Sequence, residues 1–186
     1  MPEYLESRSL IGDDYEPRRF VVSARDRCDE TYDRIRSVRT AGFKYIRNGY
    51  PRRAHLQPCA YKDQKEIYQA IRGWGEAGKL TDLQMEILLA PERSEEELYD
   101  LETDPWELKN LAGDAAYREE LESMRGLLDG WIAETGDRGQ AVEPMAMYDS
   151  DMELYLGGLT GKKSPEHVER IRENIATMKR WWDEGK

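Results

Sequence analysis

Residues 96–112, EELYDLETDPWELKNLA, carry the strongest local structural signals in this chain. The apolar-rich run at residues 98–101 is typical of a short strand. Asp104 then has the side chain of a helix N-cap, Pro105 suits a first helical position, and Glu107 is placed to return the capping hydrogen bond. The segment therefore predicts a strand, a tight turn and the start of a helix.

Three further runs predict strands upstream of that segment. Residues 34–39 and 43–48 are rich in strand-forming side chains, and Gly42 between them allows a tight hairpin. Residues 20–24 form a short continuous apolar run, typical of a strand buried on both faces of a larger sheet. The charged residues 25–30 would then form the loop that leaves this strand.

Amphipathic helices are predicted on both sides of residues 96–112. Thr81, with Gln84 three residues later, has the pattern of a capping box. Ser164 followed by Pro165 predicts the start of a last helix, and residues 136–163 before it are predicted to be irregular. Apolar side chains recur at helical spacing in three segments: Ile67, Ile71 and Trp74; Tyr117, Leu121, Met124, Leu128 and Trp131; and Val168, Ile171, Ile175, Met178 and Trp182.

Charge and hydropathy exclude several classes of partner. The formal net charge is −10, and a nucleic-acid partner requires a basic surface instead. An apolar run of about eighteen residues, the signal of a transmembrane helix, is missing from the sequence. The first twenty residues also lack the apolar core of a signal peptide. We therefore expect neither nucleic acid nor a membrane as a partner, and no export signal in the residues given.

The cysteines and histidines suggest no metal site by their spacing. Cys28 and Cys59 form no CxxC motif, and His55 and His167 lie far apart in the sequence. We expect both cysteines to be ordinary small apolar residues. Their redox state stays open, as does a nucleophile pair between Cys28 and either histidine.

One charged cluster is a candidate for chemistry. Asp29, Glu30 and Asp33 lie close in sequence to Arg25 and Arg27. Paired carboxylates share acid and base roles in glycoside hydrolysis, so a small glycosidase-like hydrolase using Asp29 and Glu30 is one reading. A solvated loop is the simpler one, because acidic residues are abundant throughout this chain.

The segment at residues 96–112 closely resembles a signature of the type I sulfatase family, in which a Glu-Leu-Tyr-Asp-Leu strand leads into Asp-Pro-x-Glu-x-x-Asn-Leu-Ala. RSVRTAGFKYIRN resembles the family's Arg-x-Val-Arg-Thr hairpin and Lys-Tyr-Ile strand. AYREELESMRGLLDGWIAETGD is similar to the helix that closes its C-terminal subdomain. Residues 8–36 resemble the last strand of the large catalytic sheet. The likeness covers roughly residues 5–140 and is nearest to sulfamidase-like members.

The resemblance implies which chemistry to look for and where it should lie. Family members hydrolyse sulfate esters with a formylglycine made from a Cys/Ser-x-Pro-x-Arg motif and with a bound calcium ion, both in an N-terminal catalytic domain. Here Cys28 is followed by Asp29-Glu30 and Cys59 by Ala60-Tyr61, so neither cysteine lies in such a motif. We therefore assign no catalytic residue, metal ligand or cofactor to this chain.

By the same resemblance the chain is an α+β protein with a small antiparallel sheet and packed helices, plus one strand of a missing α/β catalytic sheet. The implied domains are residues 1–33, the end of the catalytic domain; residues 34–139, a C-terminal subdomain; and residues 140–186, a helical tail. Its implied partners are the catalytic domain and a sulfated carbohydrate, and family members are usually exported or lysosomal. Arg25 and Arg27 would meet an anionic sugar and Asp29 or Glu30 its hydroxyls; the alternative role is an interdomain salt bridge.

Two functional hypotheses follow from these observations. The chain is the non-catalytic C-terminal portion of a sulfatase, structural and lining part of the substrate cleft; the alternative is a stand-alone module that binds a protein or a glycan. Under the first hypothesis the strand at residues 20–24 lacks the sheet it should join, and an unpaired strand promotes aggregation. Deleting residues 1–33 should then improve solubility.

Overall fold

A four-stranded antiparallel sheet lies at the centre of the computed structural model, which describes residues 15–139, 141–159 and 161–186. The strands lie in the sheet in their order along the chain, each hydrogen-bonded to the next. This order confirms the predicted small antiparallel sheet. The strands are β1 (Val21–Cys28), β2 (Thr31–Arg39), β3 (Phe43–Asn48) and β4 (Glu96–Asp100).

The strand predicted at residues 20–24 belongs to this small sheet rather than to a second one. It begins at Val21, extends to Cys28 and pairs along its length with β2. Most of its residues are exposed or half-buried, so the prediction of a strand buried on both faces was wrong. The predicted exit loop also shortens to a two-residue turn, Asp29 and Glu30, with Cys28 opposite Thr31.

The hairpin predicted between residues 34–39 and 43–48 is confirmed as β2 and β3. Its connection is closed by Thr40, whose amide donates to the Phe43 carbonyl at 2.9 Å and whose hydroxyl accepts from the Phe43 amide at 3.0 Å. The side chain thus repeats the backbone contact across the turn, which explains a threonine at this position.

A long helix covers one face of the sheet and forms the first apolar core with it. This helix, α4 (Arg118–Thr135), is the one predicted from the apolar repeat beginning at Tyr117. It ends at Gly136, whose φ of +65° is the left-handed C-cap that favours glycine. The fully enclosed side chains of this core come from β2, β3, β4, the segment after β4 and α4: Val38, Tyr45, Leu98, Leu111, Leu121, Met124 and Leu128.

A second apolar core is formed by the last two helices, α5 (Met145–Leu159) and α6 (Pro165–Asp183), which pack against Tyr32 of β2. The Ser164 hydroxyl accepts from the His167 amide, which confirms the predicted cap of α6. Helix α5 contradicts the prediction that residues 136–163 are irregular. Its two inward residues, Tyr148 and Met152, are spaced for a helix, but the exposed Met147 and Leu154 spread apolar residues around it and mask a one-sided pattern.

Three shorter helices lie between β3 and β4: α1 (Ala60–Asp63), α2 (Glu66–Glu76) and α3 (Asp82–Gln84), which continues into a wider π-turn, Met85–Leu89. The capping box of Thr81 and Gln84 is present as predicted. None of the helices in the described part of the chain is both long and apolar enough to cross a membrane.

The apolar face of α2 is not buried as its sequence pattern suggests. Ile67 is 64% exposed and Trp74 is 53% exposed, and Ile71 between them is half-buried. Leu83 and Ile87 in the next segment are also exposed. These residues lie outside both cores of the described structure.

The turn after β4 differs from its prediction. Asp104 does not cap a helix: its carboxylate accepts from the amides of Leu108 and Lys109 at 2.7 and 2.8 Å, and Glu107 has a φ of +57°, which an α-helix does not allow. The segment instead folds back along the free edge of β4. Asn110 accepts from the Leu98 amide at 3.0 Å and donates to the Glu96 carbonyl at 2.9 Å.

The division into three domains stays a prediction. Strand β2, Thr31–Arg39, runs across the boundary predicted after residue 33. Helix α6 of the predicted tail packs against the same strand.

Candidate functional site

The predicted site residues surround the turn between β1 and β2. The register between these strands shifts between Arg25 and Arg27, which changes how the two arginines project from β1. Beside the turn is a shallow surface pocket of about 330 Å³, lined by Arg27, Asp29, Asp151, Met152, Leu154 and Tyr155. Two of the four predicted site residues, Arg27 and Asp29, border this concave surface.

Arg27 is held by two carboxylates from the C-terminal part of the chain. Its guanidinium donates to Glu143 at 2.5 and 2.6 Å and to Asp151 at 2.7 Å, and it lies over the ring of Tyr148 at 5.5 Å. These contacts orient the guanidinium at the rim of the pocket while it stays 24% exposed. An anionic ligand would therefore compete with Asp151 for it, since that carboxylate is itself half exposed.

Asp29 and Glu30 point to different environments although they are neighbours. Asp29 is exposed, with a φ of +52° in the left-handed region. Glu30 has no exposed surface; one carboxylate oxygen accepts from the Ala60 amide and from the Asn174 side chain, both at 2.6 Å. Glu30 is thus not placed to contact a solute, and the two carboxylates do not line one accessible cleft.

Arg25 lies on β1 opposite Ile35, before the shift in register. It is half-buried and does not line the pocket beside the turn. The roles of Arg25, Arg27 and Asp29 in substrate binding stay predictions, and the alternative of an interdomain salt bridge is equally open.

A buried ionic centre, which the sequence did not reveal, lies behind the turn. The Arg93 guanidinium pairs with the Asp33 carboxylate through both of its terminal nitrogens, and Gln57 donates to the same carboxylate at 2.7 Å. Both partners of the ion pair are fully enclosed. Arg93 lies sixty residues from Asp33 in the sequence, so only the fold brings them together.

Arg53 forms a second buried centre and ties the end of the chain to β2. Its guanidinium donates to the Tyr32 carbonyl at 2.6 Å and to the Lys186 carbonyl at 2.8 Å, and it stacks on the Tyr50 ring at 3.9 Å. Burial lowers the pKa of Arg53. These contacts orient backbone groups, which indicates a structural rather than a reactive role.

Neither cysteine lies where the family's chemistry would need it. Cys28 ends β1 and Cys59 precedes α1, and both thiols are free. Burial raises the pKa of Cys59, which disfavours a reactive thiolate there. The residues present do not fit a formylglycine, because the chain following each cysteine lacks the proline and arginine of the maturation motif.

Comparison with known proteins identifies one strong relative. Over 136 residues the chain is 36% identical to an ulvan-active sulfatase of Formosa agariphila, a match that covers 73% of this chain and 23% of that protein. The chain thus spans about a quarter of the length of the curated relative that it matches. No family model matches the chain.

Solved structures overlap with it only partly. A putative sulfatase from Bacteroides thetaiotaomicron aligns over 69% of this chain and 19% of its own, with a TM-score of 0.42 and 23% identity. A protein solved in complex with its substrate D-glucosamine-2-N,6-O-disulfate aligns over 71% of this chain and 19% of its own, with a TM-score of 0.38 and 18% identity. Overlap at this level does not establish a common fold, so the assignment depends on the sequence match. By that match the chain belongs to the sulfatase family and corresponds to part of such a protein.

Proposed function

We propose that this chain is a non-catalytic portion of a sulfatase that packs against the catalytic region and contributes part of the rim of the substrate cleft. The observation that carries the proposal is the 36% identity to a sulfatase over 73% of the chain, combined with a coverage of only 23% of that sulfatase. Most of the relative's length lies outside the match. The catalytic machinery would come from that remaining length.

The exposed apolar face of α2 supports a covering partner. Ile67, Ile71 and Trp74 recur at helical spacing, so they form one stripe along the helix. An exposed stripe of this kind is typical of a surface that another part of a protein covers. The occupant that fits is the remaining sulfatase polypeptide, because that is the large body that the relative has and this chain does not match.

The pocket beside the β1–β2 turn is the part proposed to face substrate. Arg27 offers a partly exposed guanidinium, and guanidinium groups bind sulfate-like oxyanions through paired hydrogen bonds. The relative is described as an ulvan-active sulfatase. A sulfated carbohydrate is therefore the substrate class that we propose for the complete enzyme.

The proposal is tested first by the DNA that adjoins the coding sequence. We expect an open reading frame upstream that encodes a Cys-x-Pro-Ser-Arg motif and an early pair of aspartates. The purified 186-residue chain alone should not hydrolyse 4-nitrophenyl sulfate or an N-sulfated sugar, with or without calcium. Calcium-dependent turnover by the chain alone would overturn the proposal. An unrelated upstream sequence would favour a stand-alone binding module instead.

The role of the pocket is tested in the joined polypeptide. Arg27→Ala should raise the KM for a sulfated oligosaccharide more than it lowers kcat, because it removes a proposed binding contact and no group that takes part in the reaction. Lys179→Ala, at an exposed ion pair with Asp149 on the C-terminal helices, is the matched control. Unchanged KM in Arg27→Ala would assign Arg27 to the interdomain salt bridge.

A further inference from the structure

Two cysteines and an aspartate meet at the β1–β2 turn, although their sequence spacing suggests no metal site. Cys28 is the last residue of β1, Asp29 follows it, and Cys59 immediately precedes α1. The two sulfur atoms and a carboxylate oxygen of Asp29 all lie within 4.8 Å of one another. The Cys59 sulfur is 4.0 Å from Oδ2 of Asp29.

Neighbouring hydrogen bonds hold these donors in place independently of any contact among them. The Thr31 hydroxyl donates to the Pro58 carbonyl at 2.5 Å, which joins the turn to the residue before Cys59. The Ala60 amide donates to the Glu30 carboxylate at 2.6 Å, which joins the turn to the residue after Cys59. The donors are therefore preorganised by contacts on both sides.

The Glu30 carboxylate beside the cluster has no cationic hydrogen-bond partner among the described residues. The Glu30 carboxylate is fully buried against the Cys59–Ala60 peptide, and its two hydrogen-bond donors, the Ala60 amide and the Asn174 side chain, are neutral. Its second oxygen, Oε2, has no partner among the described residues. Neither Glu30 nor Asp29 forms a salt bridge within the described part of the chain. A buried carboxylate without a counter-charge is costly.

We propose that Cys28, Asp29 and Cys59 form a binding site for a thiophilic divalent cation of the Zn²⁺ class. Zn–S bonds of about 2.3 Å in a tetrahedral site place the two sulfur atoms roughly 3.8 Å apart, so the donors need to contract by only about 1 Å. Two thiolates select zinc over calcium or magnesium.

The proposed ion would cross-link the β1–β2 turn to the start of α1. Three protein donors leave a fourth coordination position for water or another ligand. That position is accessible from solvent, because Asp29 is exposed and lines the adjoining surface pocket.

The test is a titration of the full chain with Co²⁺ and then Zn²⁺ under a phosphine reductant, with both thiols shown to be free by alkylation of a parallel sample. Cys28 and Cys59 are the only cysteines in the sequence, so sulfur-to-cobalt charge-transfer absorption has no other source. We expect this absorption to saturate at one Co²⁺ per chain and to disappear when Zn²⁺ displaces it. Absence of the absorption, or equal binding of Ca²⁺ and Zn²⁺, would overturn the proposal.

Variants distinguish the site from adventitious binding. Cys28→Ser, Cys59→Ser and Asp29→Asn should each lower the affinity for Zn²⁺. The loss should exceed the roughly 10–100-fold that removal of an outer-shell partner costs. Asp151→Asn, which removes another carboxylate from the same pocket, should leave the affinity within about twofold, since outer-shell effects begin near tenfold. Far-ultraviolet circular dichroism checks the fold of each variant. If Cys59→Ser bound Zn²⁺ as tightly as the wild-type chain, the proposal would be contradicted. The titration of the wild-type chain tests for the site even if a variant fails to fold.

Discussion

Asp33, which forms an ion pair with Arg93, shows most clearly that the contribution of a residue to stability depends on its surroundings. Both side chains are fully enclosed, and Gln57 shares the carboxylate. In the sequence Asp33 is one acidic residue among many, so nothing there distinguished it from a solvated side chain. The fold excludes water from it, and removal of either partner leaves a charge buried.

We therefore predict that Arg93→Met lowers the free energy of unfolding by about 3–5 kcal/mol, the usual cost of breaking a buried pair. The double variant Asp33→Leu with Arg93→Met should recover most of this loss, because it leaves no buried charge. Urea unfolding of the three proteins measures both effects.

The control for this prediction is Lys179→Met, which breaks the exposed pair with Asp149. Exposed pairs contribute about 0–1 kcal/mol. If Arg93→Met lowered the free energy of unfolding no more than Lys179→Met does, the buried pair would contribute no more to stability than an exposed one.

At the scale of elements, Glu96 connects three parts of the first core. It lies on β4 and accepts from the Tyr45 hydroxyl of β3 at 2.5 Å. It also accepts from Arg125 of α4, from Nε at 2.7 Å and from one terminal guanidinium nitrogen. The Arg125 guanidinium beside Glu96 holds the pKa of that carboxyl below its usual value. The helix is thus fastened to the sheet by a charge as well as by apolar packing.

This pKa shift gives a pH dependence with a definite sign. The Glu96 carboxyl is more acidic in the folded chain than in the unfolded chain. Its stabilising effect is therefore complete above the pKa that it has in the unfolded chain, and is lost as the pH falls through the pKa that it has in the folded chain. We expect Glu96→Gln to flatten the decline in stability below about pH 5. Arg125→Met should flatten it in the same way, and urea unfolding across this pH range measures both. If the stability of Glu96→Gln declined with falling pH as steeply as that of the wild-type chain, Glu96 would not be the source of this pH dependence.

Element predictions succeeded where one local pattern was sufficient. The 4–3 apolar repeat of α4, the hairpin between β2 and β3 and the Ser164 cap of α6 each depend on neighbouring residues alone. The segment after β4 failed because Asn110 offers its side chain to the edge of β4, and this pairing competes with helix formation. Both Asn110 and β4 lie within residues 96–112, but the helix-start signals there do not show that the side chain folds back onto the strand.

For the whole molecule, the two apolar cores share β2. Tyr32 of this strand packs with α5 and α6, and Val38 packs with α4. Strand β1 covers one edge of β2, and Glu30 in the connecting turn bonds to α1 and α6. Strand β1 and the turn at Asp29 and Glu30 are therefore integrated with the rest of the described structure.

This integration reverses the expectation for a truncated chain. Deleting residues 1–33 removes β1, the buried turn and part of β2, so we predict loss of cooperative unfolding rather than better solubility. Thermal unfolding followed by circular dichroism measures it. A soluble chain of residues 34–186 that unfolds cooperatively would instead support the original division after residue 33.

The sequence by itself determined the family, the small antiparallel sheet and helices α4 and α6, because each follows from short-range spacing or from a contiguous signature. The sequence did not distinguish the surroundings of the predicted site residues: Arg27 and Asp29 border one pocket, whereas Glu30 is enclosed. Only the tertiary structure decided that β1 joins the small sheet, that Arg93 neutralises Asp33 and that Cys59 lies beside Cys28. These are contacts between distant residues, and burial and electrostatics at such contacts depend on what the whole fold brings together.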